Sequence, residues 1–138
     1  MVLTADQAYV FNVGDSRVYA YGPEGMQQIS VDDSPPLPPG ATHTAIITQI
    51  LGGYGDPEPV DVHVSTLPID EATRYLVCTD GLSDVIDDAE IAAVLAENRG
   101  VAAVFELWRA AITGGGPDNI TVAITEIVSV ETPAEPPS

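Results

Sequence analysis

The run Arg74 to Thr79, RYLVCT, is apolar without alternation. A strand with one wet face alternates apolar and polar residues, so a strand of this composition is covered on both faces. A chain that contains one has to supply structure to cover it. Two helices follow in sequence and provide the material. Asp87 can cap a helix, with Glu90 three positions on completing a capping box, and Ile91, Val94 and Leu95 then share a face before Asn98 to Gly100 ends the run. A second helix is expected from Val101 to Thr113, where Val104, Leu107, Trp108, Ala111 and Ile112 follow the 3, 4 spacing of one buried face, and Gly114-Gly115-Gly116-Pro117 stops it. The spacing thus predicts helices near 87–98 and 101–113.

Strands dominate the remainder. Gln7 to Gly14 and Ser16 to Tyr21 read as two strand segments bent at Gly14-Asp15; Gly22-Pro23-Glu24-Gly25 is hairpin chemistry, and Met26 to Val31 is the return strand. The chain is therefore expected to open as an antiparallel meander. Ser34 to Gly40 holds four prolines in seven residues and reads as an extended surface connection. Ala45 to Leu51 is apolar but too short for periodicity to decide between strand and helix. Val60 to Leu67 alternates Val60, Val62 and Val64 with Asp61, His63 and Ser65, a strand with one wet face, and Ile120 to Val128 is a last strand. Strands, two helices and a final strand make an α+β arrangement.

Charge narrows the function classes. Twenty-one Asp and Glu stand against four Arg and no Lys, a net charge of −17. Nucleic acid is excluded as a partner, because displacing counterions from phosphates needs clustered cations and Arg17, Arg74, Arg99 and Arg109 are scattered. An anionic membrane surface is excluded on the same ground. At 45% hydrophobic residues the chain is too apolar to be an acidic disordered tail. No run approaches a membrane span and Met1 to Asp6 has no signal-peptide character, so a cytoplasmic protein is expected. Cys78 is the only cysteine; it rules out a disulfide framework and reads as a buried thiol.

The chemistry that remains is carboxylate chemistry. Asp15, Asp80, Asp84 and Asp118 stand beside glycine or at strand ends, where side chains can converge on a hard divalent cation such as Mg²⁺ or Mn²⁺. Asp80 leaves a rigid strand at its exposed end. Asp84 faces the same side if Gly81 to Ile86 makes a helical turn. Two readings stand for these aspartates, turn residue and ligand, since Asp beside Gly is also ordinary turn chemistry. His43 and His63 read as surface or packed imidazoles. Ser16 and Ser83 have no histidine in a motif that activates them, and Cys78 lacks a cationic neighbour.

Four blocks give these positions a context: Asn12-Val13-Gly14-Asp15-Ser16-Arg17, Ile47-Thr48-Gln49-Ile50-Leu51-Gly52, Leu76-Val77-Cys78-Thr79-Asp80-Gly81-Leu82-Ser83-Asp84, and Gly116-Pro117-Asp118-Asn119-Ile120-Thr121. In this order they resemble the C-terminal half of a metal-dependent serine/threonine protein phosphatase of the PP2C (PPM) family, bacterial type. The resemblance implies part of an antiparallel β-sandwich flanked by antiparallel helices. It implies that Asp80, in its Asp80-Gly81 pair, and Asp118 hold one of two Mn²⁺ or Mg²⁺ ions, that Asp15, Asp84 and Asp80 contribute to a third site, and that Asn119 supports Asp118. The implied reaction is hydrolysis of phosphoserine and phosphothreonine esters on proteins by a metal-bridged hydroxide, without a phosphoenzyme.

The same resemblance marks what this chain does not carry. The family's first half, with its phosphate-gripping Arg, an early Asp, and an Asp-Gly followed by Gly-Gly-His, has no counterpart here. The segment before Ile47-Thr48 is short, and Gln49 stands where Arg is common. Residues 1–129 thus read as a partial domain and 130–138 as a disordered acidic, proline-rich tail. Three hypotheses follow. One is a phosphatase represented by its C-terminal half and inactive without the N-terminal half. The second is a non-catalytic regulatory or protein-binding module that keeps the fold, and the third an unrelated small acidic binding protein. For either of the first two, open sheet edges predict self-association or a rearranged strand order unless the missing half pairs with them.

Overall fold

The computed structural model describes residues 1–36, 39, 44, 46–53, 59–70 and 72–128. His43 and the expected tail from 130 onward lie outside these residues. Seven strands and three helices occur among them: β1 (Val2–Leu3), β2 (Gln7–Asn12), β3 (Arg17–Gly22), β4 (Gly25–Gln28), β5 (His63–Pro68), β6 (Arg74–Cys78), α1 (Asp80–Ser83), α2 (Asp88–Glu97), α3 (Gly100–Thr113) and β7 (Val122–Glu126). The expected α+β class holds. No described helix is long and apolar enough to cross a membrane.

Two antiparallel sheets form, in the orders β1-β2-β5 and β4-β3-β6-β7. The meander expected at the start is confined to β3 and β4. Strand β2 pairs with β1 and β5, whereas β3 pairs with β4 and β6, so the bend at Gly14-Asp15 carries the chain from one sheet to the other. The apolar run beginning at Arg74 becomes β6, a central strand between β3 and β7, and four of its five residues are buried. Tyr19, Leu76 and Cys78 pack with Leu82, Ile86, Ile91, Leu95, Ala103, Leu107 and Ala111 into the main core, beneath the helices. Val18 and Tyr75, next in register along the same strands, are buried on the opposite face. Both faces of this sheet are thus covered. The three-stranded sheet is tied to it by the Ser65 hydroxyl, which donates to the Ile29 carbonyl at 3.1 Å.

The helices start where their caps predict. Asp87 accepts from the Glu90 N–H at 2.9 Å while the Glu90 carboxylate accepts from the Asp87 N–H at 3.2 Å, a complete capping box. The C-terminus of α2 is closed by Arg74, whose guanidinium donates to the carbonyls of Asn98, at 2.8 Å, and Leu95, and lies 4.8 Å over the Tyr21 ring. Helix α3 departs from expectation. Ala103, Leu107 and Ala111 form its buried face, while Trp108 and Ile112, expected in that face, are 44% and 47% exposed. The side chains at 103, 107 and 111 are spaced four apart and enter the core, with Ala110 packed beside them; 108 and 112 fall one position further round the helix.

Strand β5 is inverted relative to its alternation. His63, Ser65 and Leu67 turn inward, and Val64 is exposed, as are Val60 and Val62 before it. Period two shows that the faces differ, not which of them is covered. Of Ala45 to Leu51, undecided between helix and strand, the described residues 46–51 form neither.

Candidate metal centre

Three structural devices bring the aspartates together. The first is the sheet-to-sheet crossing. Asn12, buried at the end of β2, donates to the carbonyls of Gly14 at 3.1 Å and Val31 at 2.9 Å. Gly14 adopts φ of 98°, a left-handed conformation that glycine reaches without strain. Its N–H donates to the Asp33 carboxylate at 2.8 Å and its carbonyl accepts from the Asp33 N–H at 3.0 Å. Asp15 follows this clamped residue. The second device is α1, a single turn that begins where β6 ends. The Asp84 N–H donates to the Asp80 carbonyl at 2.8 Å, so Asp80 and Asp84 stand one turn apart on the same side, as the sequence spacing implies.

The third device ties Asp118 to Asp80. Thr79 donates its hydroxyl to the Asn119 carbonyl at 3.1 Å and accepts from the Thr121 N–H at 3.0 Å, while its own N–H donates to the Thr121 carbonyl. Gly81 is needed for this approach. A Cβ there would lie 2.3 Å from the Asn119 carbonyl oxygen, far inside contact distance. Asp118 in turn accepts from the N–H of Asn119 at 2.6 Å.

Two adjoining clefts result. Asp15, Asp80 and Asp84 line the first, with Arg17 and Asp32. The second shares Asp80 and Asp84 and adds Gly81, Gly114, Pro117 and Asp118. All four sequence-predicted aspartates therefore reach cleft walls, and Asp80 and Asp84 belong to both. Burial, followed by the neighbouring Asp80 charge, pushes the Asp15 carboxyl above the usual carboxylate range. Arg17, the cation of the first cleft, is engaged by Asp32, which accepts from its Nε at 2.8 Å and pairs with its Nη2 at the same distance.

These donors are hard oxygens, suited in kind to Mg²⁺ or Mn²⁺. Among the described residues, however, no group of three or more His, Cys, Asp or Glu could by itself hold a metal ion. The four aspartates line the two clefts without closing a full set of ligands on one point. Nucleophilic alternatives are weak: burial pushes the Cys78 thiol up to about 12, and the Ser83 hydroxyl oxygen is buried.

Asp33 is a site-supporting residue that the sequence reading did not single out. Its buried carboxylate accepts from Gly14, from Gln49 Nε2 at 2.7 Å, and pairs with His63 Nε2 at 2.8 Å. It thereby holds the Gly14 crossing, the 46–53 segment and β5 on one group. His63, standing in an otherwise valine-rich alternation, is the one sequence sign of such a partner. Gln49, noted as a departure from the family pattern, serves this network and also bonds the backbone of Asp61.

Comparison with known proteins places the chain. No protein-family model matches it. It is 32% identical over 135 residues to the serine/threonine protein phosphatase PstP of Mycobacterium tuberculosis, a match covering 87% of this chain and 25% of that protein. It is 28% identical over 137 residues to the serine/threonine phosphatase stp of Listeria innocua, covering 91% of this chain and 54% of that one. Among solved structures, the catalytic domain of PstP in complex with two manganese ions aligns with a TM-score of 0.80 at 27% identity, over 93% of this chain and 56% of that chain. By sequence the chain is similar to bacterial serine/threonine phosphatases and by fold to their PP2C-type catalytic domain, and it spans about a quarter of PstP, about half of stp and about half of the solved catalytic domain.

Proposed function

We propose that this chain supplies one side of a metal-dependent site that hydrolyses phosphoserine and phosphothreonine esters on proteins in the cytoplasm. The observation that carries the reading is the position of Asp80 on both cleft walls, with Asp118 on one and Asp15 on the other. In this reading Asp80 and Asp118 hold a Mn²⁺ or Mg²⁺ ion in the second cleft, and Asp15, Asp80 and Asp84 hold another in the first. Such ions supply Lewis-acid stabilisation of charge on phosphate oxygens and activation of water. The chain's own contribution is positional. Thr79 and Gly81 fix the Asp118-Asn119 loop against α1, and Asp33 fixes the crossing that presents Asp15.

Residues 1–129 act here as the C-terminal half of the domain, and the remaining ligands and the phosphate-gripping cation come from its complementary half. The exposed apolar outer face of the three-stranded sheet supports this. Phe11 and Val64 are cross-strand partners, and each is more than half exposed, as is Val2. A second reading, a non-catalytic module, is favoured by the incomplete ligand shell among the described residues. One experiment separates the two. The chain is combined with the complementary half of the domain and Mn²⁺, and phosphate release from a phosphothreonine peptide is measured beside calorimetric Mn²⁺ titration of the chain alone. The phosphatase reading expects Mn²⁺-dependent turnover abolished by Asp118→Ala, and about millimolar binding by the chain alone that Asp80→Ala removes. Absence of turnover establishes the non-catalytic reading, whereas turnover indifferent to Asp118→Ala overturns the role assigned to Asp118.

A further inference from the structure

Helix α3 is apolar on two faces. One, Ala103, Leu107 and Ala111, enters the core. The other consists of Val101, Phe105, Trp108 and Ile112, with exposures of 86%, 55%, 44% and 47%. Their spacing of four, three and four residues is that of d, a, d and a positions in a heptad, the seam one helix offers to another. The stripe is built rather than scattered: the Phe105 and Trp108 rings contact each other at 5.9 Å between centroids. None of the candidate site's residues lies on it.

We propose that this stripe is a docking face for a basic amphipathic helix of a partner protein. The heptad spacing selects a helix as the occupant. Charge selects its sign. The molecule carries −17, and three of its four arginines are already bridged to carboxylates, Arg17 to Asp32, Arg74 to Glu126 and Arg109 to Glu106. Its field attracts a cationic segment and repels an anionic one. A second copy of this chain brings another −17 to the contact. A 14-residue helix is only about 21 Å long and offers far less than the roughly 800 Å² per partner typical of a stable dimer. The chain's own last ten residues, SVETPAEPPS, carry one large apolar residue and two glutamates, and so match neither the spacing nor the charge.

Trp108 is the chain's only tryptophan, so its emission reports this face alone. The test titrates the full chain at low salt with a synthetic peptide of about three heptads, leucine at a and d and lysine elsewhere. Two controls accompany it, one with glutamate in place of lysine and one keeping lysine but with serine at a and d. The expected result is a saturable blue shift with the first peptide only, at about 10 to 100 µM, weakened several-fold by raising the salt. Phe105→Ser weakens the binding about tenfold. Val101→Ser, at a position too exposed to affect folding, weakens it in the same direction. No blue shift, an equal shift with the serine control, or indifference to both variants overturns the proposal. A blue shift accompanied by doubled mass without peptide overturns it in favour of a second copy.

Discussion

Asp33 joins parts of the chain that local sequence cannot connect. Its carboxylate is held below the usual range, first by the Gly14 N–H and then by His63 and Gln49, against the opposing effect of burial. A carboxyl of this kind contributes stability above its unfolded pKa, near 3.9, and that contribution is lost as pH falls through its lower folded value. Asp33→Asn keeps the shape and removes the charge. Thermal unfolding should therefore show the variant about 3 to 8 °C less stable than the parent near pH 7, with the gap closing toward pH 2. A gap of constant size across that range would show that the charge is not what Asp33 contributes. The contrast with the four cleft aspartates is instructive. Asp15, Asp80, Asp84 and Asp118 are legible because each sits in a short run with its own glycine or turn chemistry. Asp33 is not, because its partners lie 16, 19 and 30 residues away and its importance exists only after folding.

At the scale of elements, what sequence periodicity conveys is the existence and ends of a strand or helix, with less about which face is covered. The capping box of α2 and the glycine stop of α3 are local hydrogen-bond and backbone chemistry, and both stand where expected. The inverted face of β5 and the second apolar face of α3 depend on what lies opposite, which no local pattern contains. Nor does the sequence show Arg74 as a helix cap, since it opens a strand and closes a helix 21 residues on. Its side chain is buried and bridges α2 to Glu126 of β7, 3.6 Å away. Arg74→Met preserves the apolar stem but leaves the Leu95 and Asn98 carbonyls without this donor, and the Glu126 carboxylate, which still accepts from the Gly100 N–H at 3.3 Å, without its cation. Chemical denaturation should register a loss of about 2 to 4 kcal/mol. Adding Glu126→Gln to that variant should recover part of the loss, because it removes the uncompensated charge. Strict additivity of the two substitutions would count against the bridge.

The whole molecule sets long-range charge against short-range apolar contact. One apolar face is the outer side of the three-stranded sheet around Phe11 and Val64; the other is the α3 stripe. Exposed faces of this kind ordinarily draw copies together. The net charge of −17 opposes that, and its reach is set by ionic strength: about 30 Å at 0.01 M but about 3 Å at 1 M. The acidic surface is, on this argument, expected to keep copies of the chain separate. Light scattering should then give the 14.4 kDa monomer mass at low salt and a rising mass as salt approaches about 1 M, with the same rise as pH nears the pI of 4.1. The salt-driven association should use the sheet face, because Phe11 and Val64 pair directly in register and lie on a flatter surface than a single helix presents. Phe11→Ser with Val64→Ser should hold the mass near the monomer value at high salt, with Trp108 emission unchanged throughout. Surface exchanges of this kind cost within about 0.5 kcal/mol of fold stability, so a normal thermal midpoint would accompany the effect. A parent chain that stays monomeric at 1 M salt would mean that its apolar faces are too small to associate even unscreened. Charge would then have no part in keeping the chain apart.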